Sequence, residues 1–221
     1  MDVLVAGGHG QIGRRLLRLL ASRGHTARGL IRNPDHVADL EADGAHAVLC
    51  DLEADDVRPH VGGAEAIVFA AGAGAGSGPE RKRTVDLGGA LKCIEAAREL
   101  GVDRFLMVSS MGTRDAEHAG PMRPYLEAKA EADTALETSG LDWTIVRPGR
   151  LTDAPGTGTV DLAPALARRG EIPRDDVALV LYHCLTADNT VRAQFDVLSG
   201  PVPVDVALTS VQPGSGPVEP R

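Results

Sequence analysis

Tyr125 and Lys129 stand four residues apart in the run Tyr125-Leu126-Glu127-Ala128-Lys129. Four residues is about one helical turn, so a phenol and an ammonium share one helix face. A neighbouring positive charge favours the phenolate and brings a tyrosine toward a range useful for acid/base work. The spacing alone is not distinctive, because many helices carry such a pair by chance. Ser109-Ser110 follows the apolar run Phe105-Leu106-Met107-Val108. A serine hydroxyl at that strand end could hold a substrate carbonyl oxygen while Tyr125 gives or takes its proton. The structural alternative is a turn that caps the loop after the strand.

A second group of residues lies near the start of the chain. The apolar run Asp2-Val3-Leu4-Val5-Ala6 leads into Gly7-Gly8-His9-Gly10-Gln11-Ile12-Gly13, and an amphipathic stretch follows to Arg23. Two glycine registers fit, Gly8-x-Gly10-x-x-Gly13 and Gly7-x-x-Gly10-x-x-Gly13. A strand before and a helix after make this a dinucleotide-binding turn. The first-turn N–H groups of Gln11, Ile12 and Gly13, with the helix's partial positive charge, would meet the phosphates.

These groups need a scaffold. Strands are expected near 2–6, 26–31, 45–50, 65–71, 103–109 and 142–147, with a short edge strand near 194–198. Helices are expected near 11–23, 34–42, 80–100, 123–139 and 174–187, with Asn33-Pro34 and Gly101 marking helix boundaries. Such alternation predicts an α/β fold, a Rossmann-type doubly wound parallel sheet flanked by helices in a single domain. A ligand then sits at the carboxyl ends of the strands, where the strand order reverses. The domain is expected over 1–211, with a small substrate-covering part at about 148–211 and a disordered tail over 212–221.

The second strand ends at Leu30-Ile31-Arg32-Asn33. An NAD site usually carries Asp or Glu here for the ribose 2′-hydroxyl. Arg32 instead suits a 2′-phosphate through charge and fork geometry, so NADP is favoured over NAD. Otherwise Arg32 is a solvated loop charge and Asp35 takes the ribose, although Asp35 is better read as an acid in a helix's first turn. Asp51, with Leu52 beside it, ends the third strand. Asp51 could accept from the adenine amino group or cap the next helix. Ala70-Ala71-Gly72 ends the fourth strand, where small residues let a cofactor lie close to the backbone; the later glycines of this loop read as flexible.

Composition narrows the function classes. The 221 residues suffice for one α/β domain with a sizeable core. The net charge is −8 with no basic run, which argues against nucleic acid or an anionic membrane as partner. A strand at the N-terminus leaves no room for a signal peptide, and no segment is apolar and long enough to span a bilayer. Cys50, Cys93 and Cys184 are odd in number, widely spaced and without metal spacing. They read as reduced packing residues of a cytoplasmic protein, and no metal is expected.

The chain resembles the short-chain dehydrogenase/reductase superfamily, in particular its atypical NAD(P)-binding group. That group includes epimerase-like proteins and relatives of flavin and biliverdin reductases. The carriers are Gly7-x-x-Gly10-x-x-Gly13, Ile31-Arg32-Asn33-Pro34, Cys50-Asp51-Leu52, Ala70-Ala71-Gly72 and Phe105 to Ser110, with Tyr125-x-x-x-Lys129 and Thr144 to Gly149. The resemblance implies that Tyr125 is the general acid/base and that Lys129 binds the nicotinamide ribose and activates the tyrosine. It implies that Ser110, rather than Ser109, orients the substrate oxygen. Pro148 and Gly149 would lie under the nicotinamide through their backbone. The family's helix Asn is replaced by Asp86, which would serve a structural or relay role. Asp175-Asp176 would cap the following helix.

Only about 70 residues follow Pro148-Gly149, fewer than extended epimerases use for nucleotide sugars. The loop 151–158 is the candidate lid. The expected function is an NADP(H)-dependent oxidoreductase reducing a small carbonyl, quinone or flavin-type substrate. The alternatives are an NmrA-like NADP-sensing regulator without turnover and an NAD(P)-dependent epimerase. The superfamily's helix faces allow a homodimer.

Overall fold

The computed structural model describes residues 1–74 and 76–214. Residues 215–221 of the expected tail lie outside the described residues, as does Ala75. Six segments form parallel strands: β1 (Asp2–Ala6), β2 (Thr26–Ile31), β3 (His46–Leu49), β4 (Ala66–Phe69), β5 (Arg104–Val108) and β6 (Asp142–Pro148). Further strands follow: β7 (Arg150–Thr152), β8 (Thr159–Ala163), β9 (Glu171–Pro173), β10 (Ala193–Ser199) and β11 (Val202–Pro203). The main sheet has the order β11-β8-β10-β6-β5-β4-β1-β2-β3, and β7 pairs with β9 apart from it.

Helices connect them: α1 (Gln11–Ser22), α2 (Val37–Ala42), α3 (Arg58–Val61), α4 (Pro79–Arg81), α5 (Ala90–Leu100), α6 (Arg123–Glu137), α7 (Arg174–Cys184) and α8 (Val204–Leu208). Gly101 ends α5 in the left-handed conformation, the usual glycine stop. Between α4 and α5, residues Lys82–Gly89 form a π-helical segment.

Side chains alternate across a strand, and both sheet faces are covered, so the central strands β1, β4 and β5 read as nearly continuous apolar runs. Val3 and Val5 pack with Leu16, Leu17 and Leu20 of α1 and with Val177 and Leu181 of α7. Leu4, Ile67, Phe69, Phe105 and Met107 pack with Cys93 and Ala97 of α5 and with Ala128, Ala132 and Leu136 of α6. All three cysteines are buried and free. Burial pushes the Cys50 thiol up to about 11 and those of Cys93 and Cys184 to about 12, so they are packing groups and poor nucleophiles.

The strand expected at an edge near 194–198 is instead interior. β10 pairs in parallel with β6 and antiparallel with β8, and β11 extends the sheet further. The C-terminal part is thus built into the same sheet. No described helix is long and apolar enough to cross a membrane.

Candidate functional site

The strand order reverses between β1 and β4, and the loops leaving these two strands touch. Gly7 has φ +85°, and a Cβ there would lie 2.7 Å from Ala71 Cα and N. A Cβ on Gly13 would collide with the Gly7 carbonyl oxygen. The turn is closed by Gly10 N donating to Gly7 O at 2.8 Å, and Gly8 N donates to Leu30 O at 2.9 Å. Gly10 starts α1 without a side-chain cap, and the first turn holds no acid. The first N–H inside the helix ladder is that of Arg14, bonded to Gly10 O at 2.9 Å. The amides of Gln11, Ile12 and Gly13 precede it at the helix's positive end. A turn packed too tightly against neighbouring backbone for side chains at Gly7, Gly8 and Gly13, backed by an uncapped helix start, fits the diphosphate of a dinucleotide. Beside it, His9 and His36 stack with centroids 3.4 Å apart, and His9 Nε2 lies 2.7 Å from Asp39 Oδ2.

The adenosine end of such a site is lined by charge. Arg32, at the end of β2, keeps its side chain 57% exposed, and its Nη1 lies 3.6 Å from Glu53 Oε2. Arg81 Nη2 approaches the same oxygen at 2.8 Å, and Thr84 Oγ1 donates to Glu53 Oε1 at 2.6 Å. The Thr84 hydrogen bond, then Arg81, holds the Glu53 carboxyl below the usual range. Asp35 sits in the first turn of a 3-10 helix, Pro34–His36, whose cap is the Asn33 side chain. Asp51 Oδ1 accepts from Glu53 N at 2.9 Å, which fixes the turn after β3.

The residues expected at the reactive end are positioned by α6. Tyr125, Lys129, Asp133 and Glu137 recur every four residues and therefore line one face. Lys129 is 3% exposed. Its ammonium donates to Val108 O at 3.1 Å and Ala71 O at 3.4 Å. It thereby ties the helix to the carboxyl ends of β5 and β4. Asp86 Oδ1 lies 3.4 Å from the same nitrogen, and Asp86 Oδ2 accepts from Ala73 N at 3.0 Å. Asp86 is 1% exposed and sits in the π-helical segment, a distortion that recurs at functional sites. It joins the loop after β4 to Lys129. Tyr125 is half-buried one turn earlier, with Lys82 Nζ 5.1 Å from its ring centroid.

The two serines are placed differently. Ser109 is buried and donates to Asp133 Oδ2 at 2.9 Å. The same oxygen receives Arg147 Nε at 3.1 Å and Nη2 at 2.9 Å. Burial pushes the Asp133 carboxyl up, against the pull of Arg147 and the Ser109 hydrogen bond. Ser110 is half-buried and donates only locally, to Met111 O at 3.2 Å. Pairing continues beyond the strands, with Met111 N bonded to Pro148 O at 3.1 Å. The Ser110 segment and Pro148 therefore adjoin. Gly149 packs so closely on Leu198 and Gly170 that no side chain fits there.

Asp175 and Asp176 lie in the first turn of α7, at its positive end, but neither makes a side-chain cap hydrogen bond, and the N-cap is Pro173. Asp175 pairs with Arg15 at 2.9 Å. Asp176 accepts from Thr157 N at 3.0 Å and Gly158 N at 2.8 Å, and Asp153 pairs with Arg174 at 2.9 Å. The candidate lid 151–158 is thus anchored to α7, and Arg15 Nη2, 3.5 Å from Asp153 Oδ1, ties it to α1. The sequence reading missed Glu53, Arg81, Thr84 and Asp133. Only Asp133 left a signal, the four-residue repeat with Tyr125 and Lys129.

The reversal of strand order, the glycine cradle and the uncapped helix together define an NAD(P)-binding Rossmann protein. A family model described as NAD(P)H-binding matches residues 7–188, and the chain belongs to that family. It is 43% identical over 212 residues to the "Uncharacterized sugar epimerase YhfK" of Bacillus subtilis (strain 168), covering 94% of this chain and 99% of that protein. A solved NAD-dependent epimerase/dehydratase candidate from Bacillus halodurans superimposes with a TM-score of 0.91 at 38% identity, covering 95% of this chain and 99% of that one. The oxidoreductase ylbE from Lactococcus lactis gives 0.84 at 26% identity, with 96% of each chain covered. These likenesses agree with the atypical short-chain dehydrogenase/reductase group that the motifs resemble.

Proposed function

We propose that the chain is an NADP(H)-dependent oxidoreductase acting on a small carbonyl, quinone or flavin-type substrate. The observation that carries this reading is the buried Lys129–Asp86 clamp, which ties α6 to the carboxyl ends of β4 and β5 one helical turn from Tyr125. When bound, the coenzyme supplies a hydride. Gly7, Gly10, Gln11, Ile12 and Gly13 would hold its diphosphate, Arg32 its 2′-phosphate, and Asp51, Leu52 and Ala70 to Gly72 its adenosine side. Lys129, Pro148 and Gly149 would hold the nicotinamide end. Tyr125 gives or takes the proton at the substrate oxygen, and Ser110 orients that oxygen. Asp86 acts on this chemistry by position, because it is held inside the protein against Lys129.

Arg32 is the residue on which NADP selectivity turns. Arg32→Ala is expected to weaken NADPH binding by about ten- to a hundredfold, the worth of a charge-assisted hydrogen bond, and NADH binding by less than about twofold. Calorimetric titration with both coenzymes measures this, and equal losses would refute the assignment. Turnover is tested by following NADPH and NADH oxidation against aldehydes, ketones, quinones and flavins. A second reading, an epimerase that consumes no net coenzyme, draws support from the name of the Bacillus subtilis relative. Coenzyme binding with no turnover of any substrate would favour a sensor.

A further inference from the structure

We propose that Glu53 sets coenzyme selectivity by competing with the NADP(H) 2′-phosphate for Arg32, Arg81 and Thr84. This inference rests on the reading that a nicotinamide coenzyme occupies the crevice between β1 and β4. Three donors from two separate segments converge on one carboxylate. Arg81 lies 2.8 Å and Arg32 3.6 Å from Oε2, and Thr84 donates to Oε1 at 2.6 Å. Two guanidinium groups and a hydroxyl are also the donor set that a phosphate monoester takes. Such a phosphate carries about −1.5 to −2 charge at neutral pH. One carboxylate leaves the two arginines with a surplus positive charge, whereas the phosphate and Glu53 together would leave a surplus negative one.

The phosphate must therefore displace the carboxylate. Glu53 can move, because its side chain is 27% exposed and it sits on the turn after β3. A 2′-hydroxyl needs no such displacement. The native chain is thus less selective for NADPH than Arg32 and Arg81 alone would make it.

The test is calorimetric titration of the native chain, Glu53→Gln and Arg81→Met with NADPH, NADH and 2′,5′-ADP. Equal thermal midpoints for the three proteins show that each is folded. Glu53→Gln is expected to tighten NADPH and 2′,5′-ADP by about three- to tenfold, the scale of a partly exposed charge interaction, and to leave NADH unchanged. Arg81→Met is expected to weaken NADPH and 2′,5′-ADP and to leave NADH unchanged. NADPH binding unchanged or weakened in Glu53→Gln, or both coenzymes tightened equally, would overturn the proposal. If the native chain binds both coenzymes and Glu53→Gln moves neither, this inference fails while the coenzyme reading stands. If the native chain binds neither coenzyme, the reading beneath it fails as well.

Discussion

Exchanging Tyr125 for phenylalanine is expected to cut turnover by about 10²- to 10⁴-fold, the usual worth of a positioned acid, while coenzyme affinity stays within about twofold. That loss corresponds to about 3–5 kcal/mol in the barrier. The asymmetry follows from position. Tyr125 is half-buried at the first turn of α6, whereas the diphosphate cradle is formed by backbone at Gly7 to Gly13. The substitution removes one hydroxyl and keeps the ring that faces Lys82, so the fold should be unaffected. Steady-state kinetics on a substrate found by the coenzyme-oxidation screen, with a parallel binding titration, provide the check. Turnover within about threefold of the native chain would remove Tyr125 from proton transfer. Reduction of a flavin or quinone without a side-chain acid would then be the better account.

Asp86→Ala should produce the largest loss of stability. It leaves the Lys129 ammonium buried without its counter-charge and takes the acceptor from Ala73 N. Breaking a buried pair from one side costs about 3–5 kcal/mol, because the remaining charge cannot be hydrated. For a chain of this size that is a fall in Tm of roughly 6–20 °C. Asp86→Asn keeps an acceptor for Ala73 and should fall between the two. The double variant Asp86→Ala/Lys129→Met should recover part of the loss, because no lone charge is then buried. Denaturant unfolding measures all three. A cost below about 1 kcal/mol for Asp86→Ala would mean that water reaches the pair and that it does not clamp the helix.

The parts of this architecture that were legible in the sequence are those set by local pattern. The apolar runs of β1, β4 and β5 and the glycine turn after the first of them could be read directly, because strands buried on both faces are continuously apolar, and the strand–helix alternation located β2, β3 and β6. The interior position of β10 was hidden by Gln194 and Asp196, polar residues that suggest a solvent face. Both are buried, and Asp196 accepts from Leu166 N at 3.0 Å. Strands β7 and β9 have three residues each, and β7 to β9 alternate with the glycine- and proline-rich segments around Gly156 and Gly170. The helix expected over 80–100 was correct in extent, but its π-helical stretch, which carries Asp86 to Lys129 and Ala73, is encoded by no local period.

The site divides in the same way. Tyr125 and Lys129 lie one turn apart on one helix and could be read directly. Asp133 continues that spacing, and its burial against Ser109 and Arg147 separates the roles of the two serines: Ser109 is committed to the core and Ser110 is not. Glu53, Arg81 and Thr84 meet Arg32 only through the tertiary fold, so Arg32 in the sequence looked like an arginine without company.

A nicotinamide coenzyme is expected across the carboxyl ends of β1 and β4, with its diphosphate on the first turn of α1. Calorimetric titration of the purified native chain with NADPH and with NADH tests it most directly. Saturable binding of one coenzyme per chain, tighter for NADPH, is the predicted result. Absence of binding heat and of competition for either coenzyme, from protein that unfolds cooperatively, would contradict it.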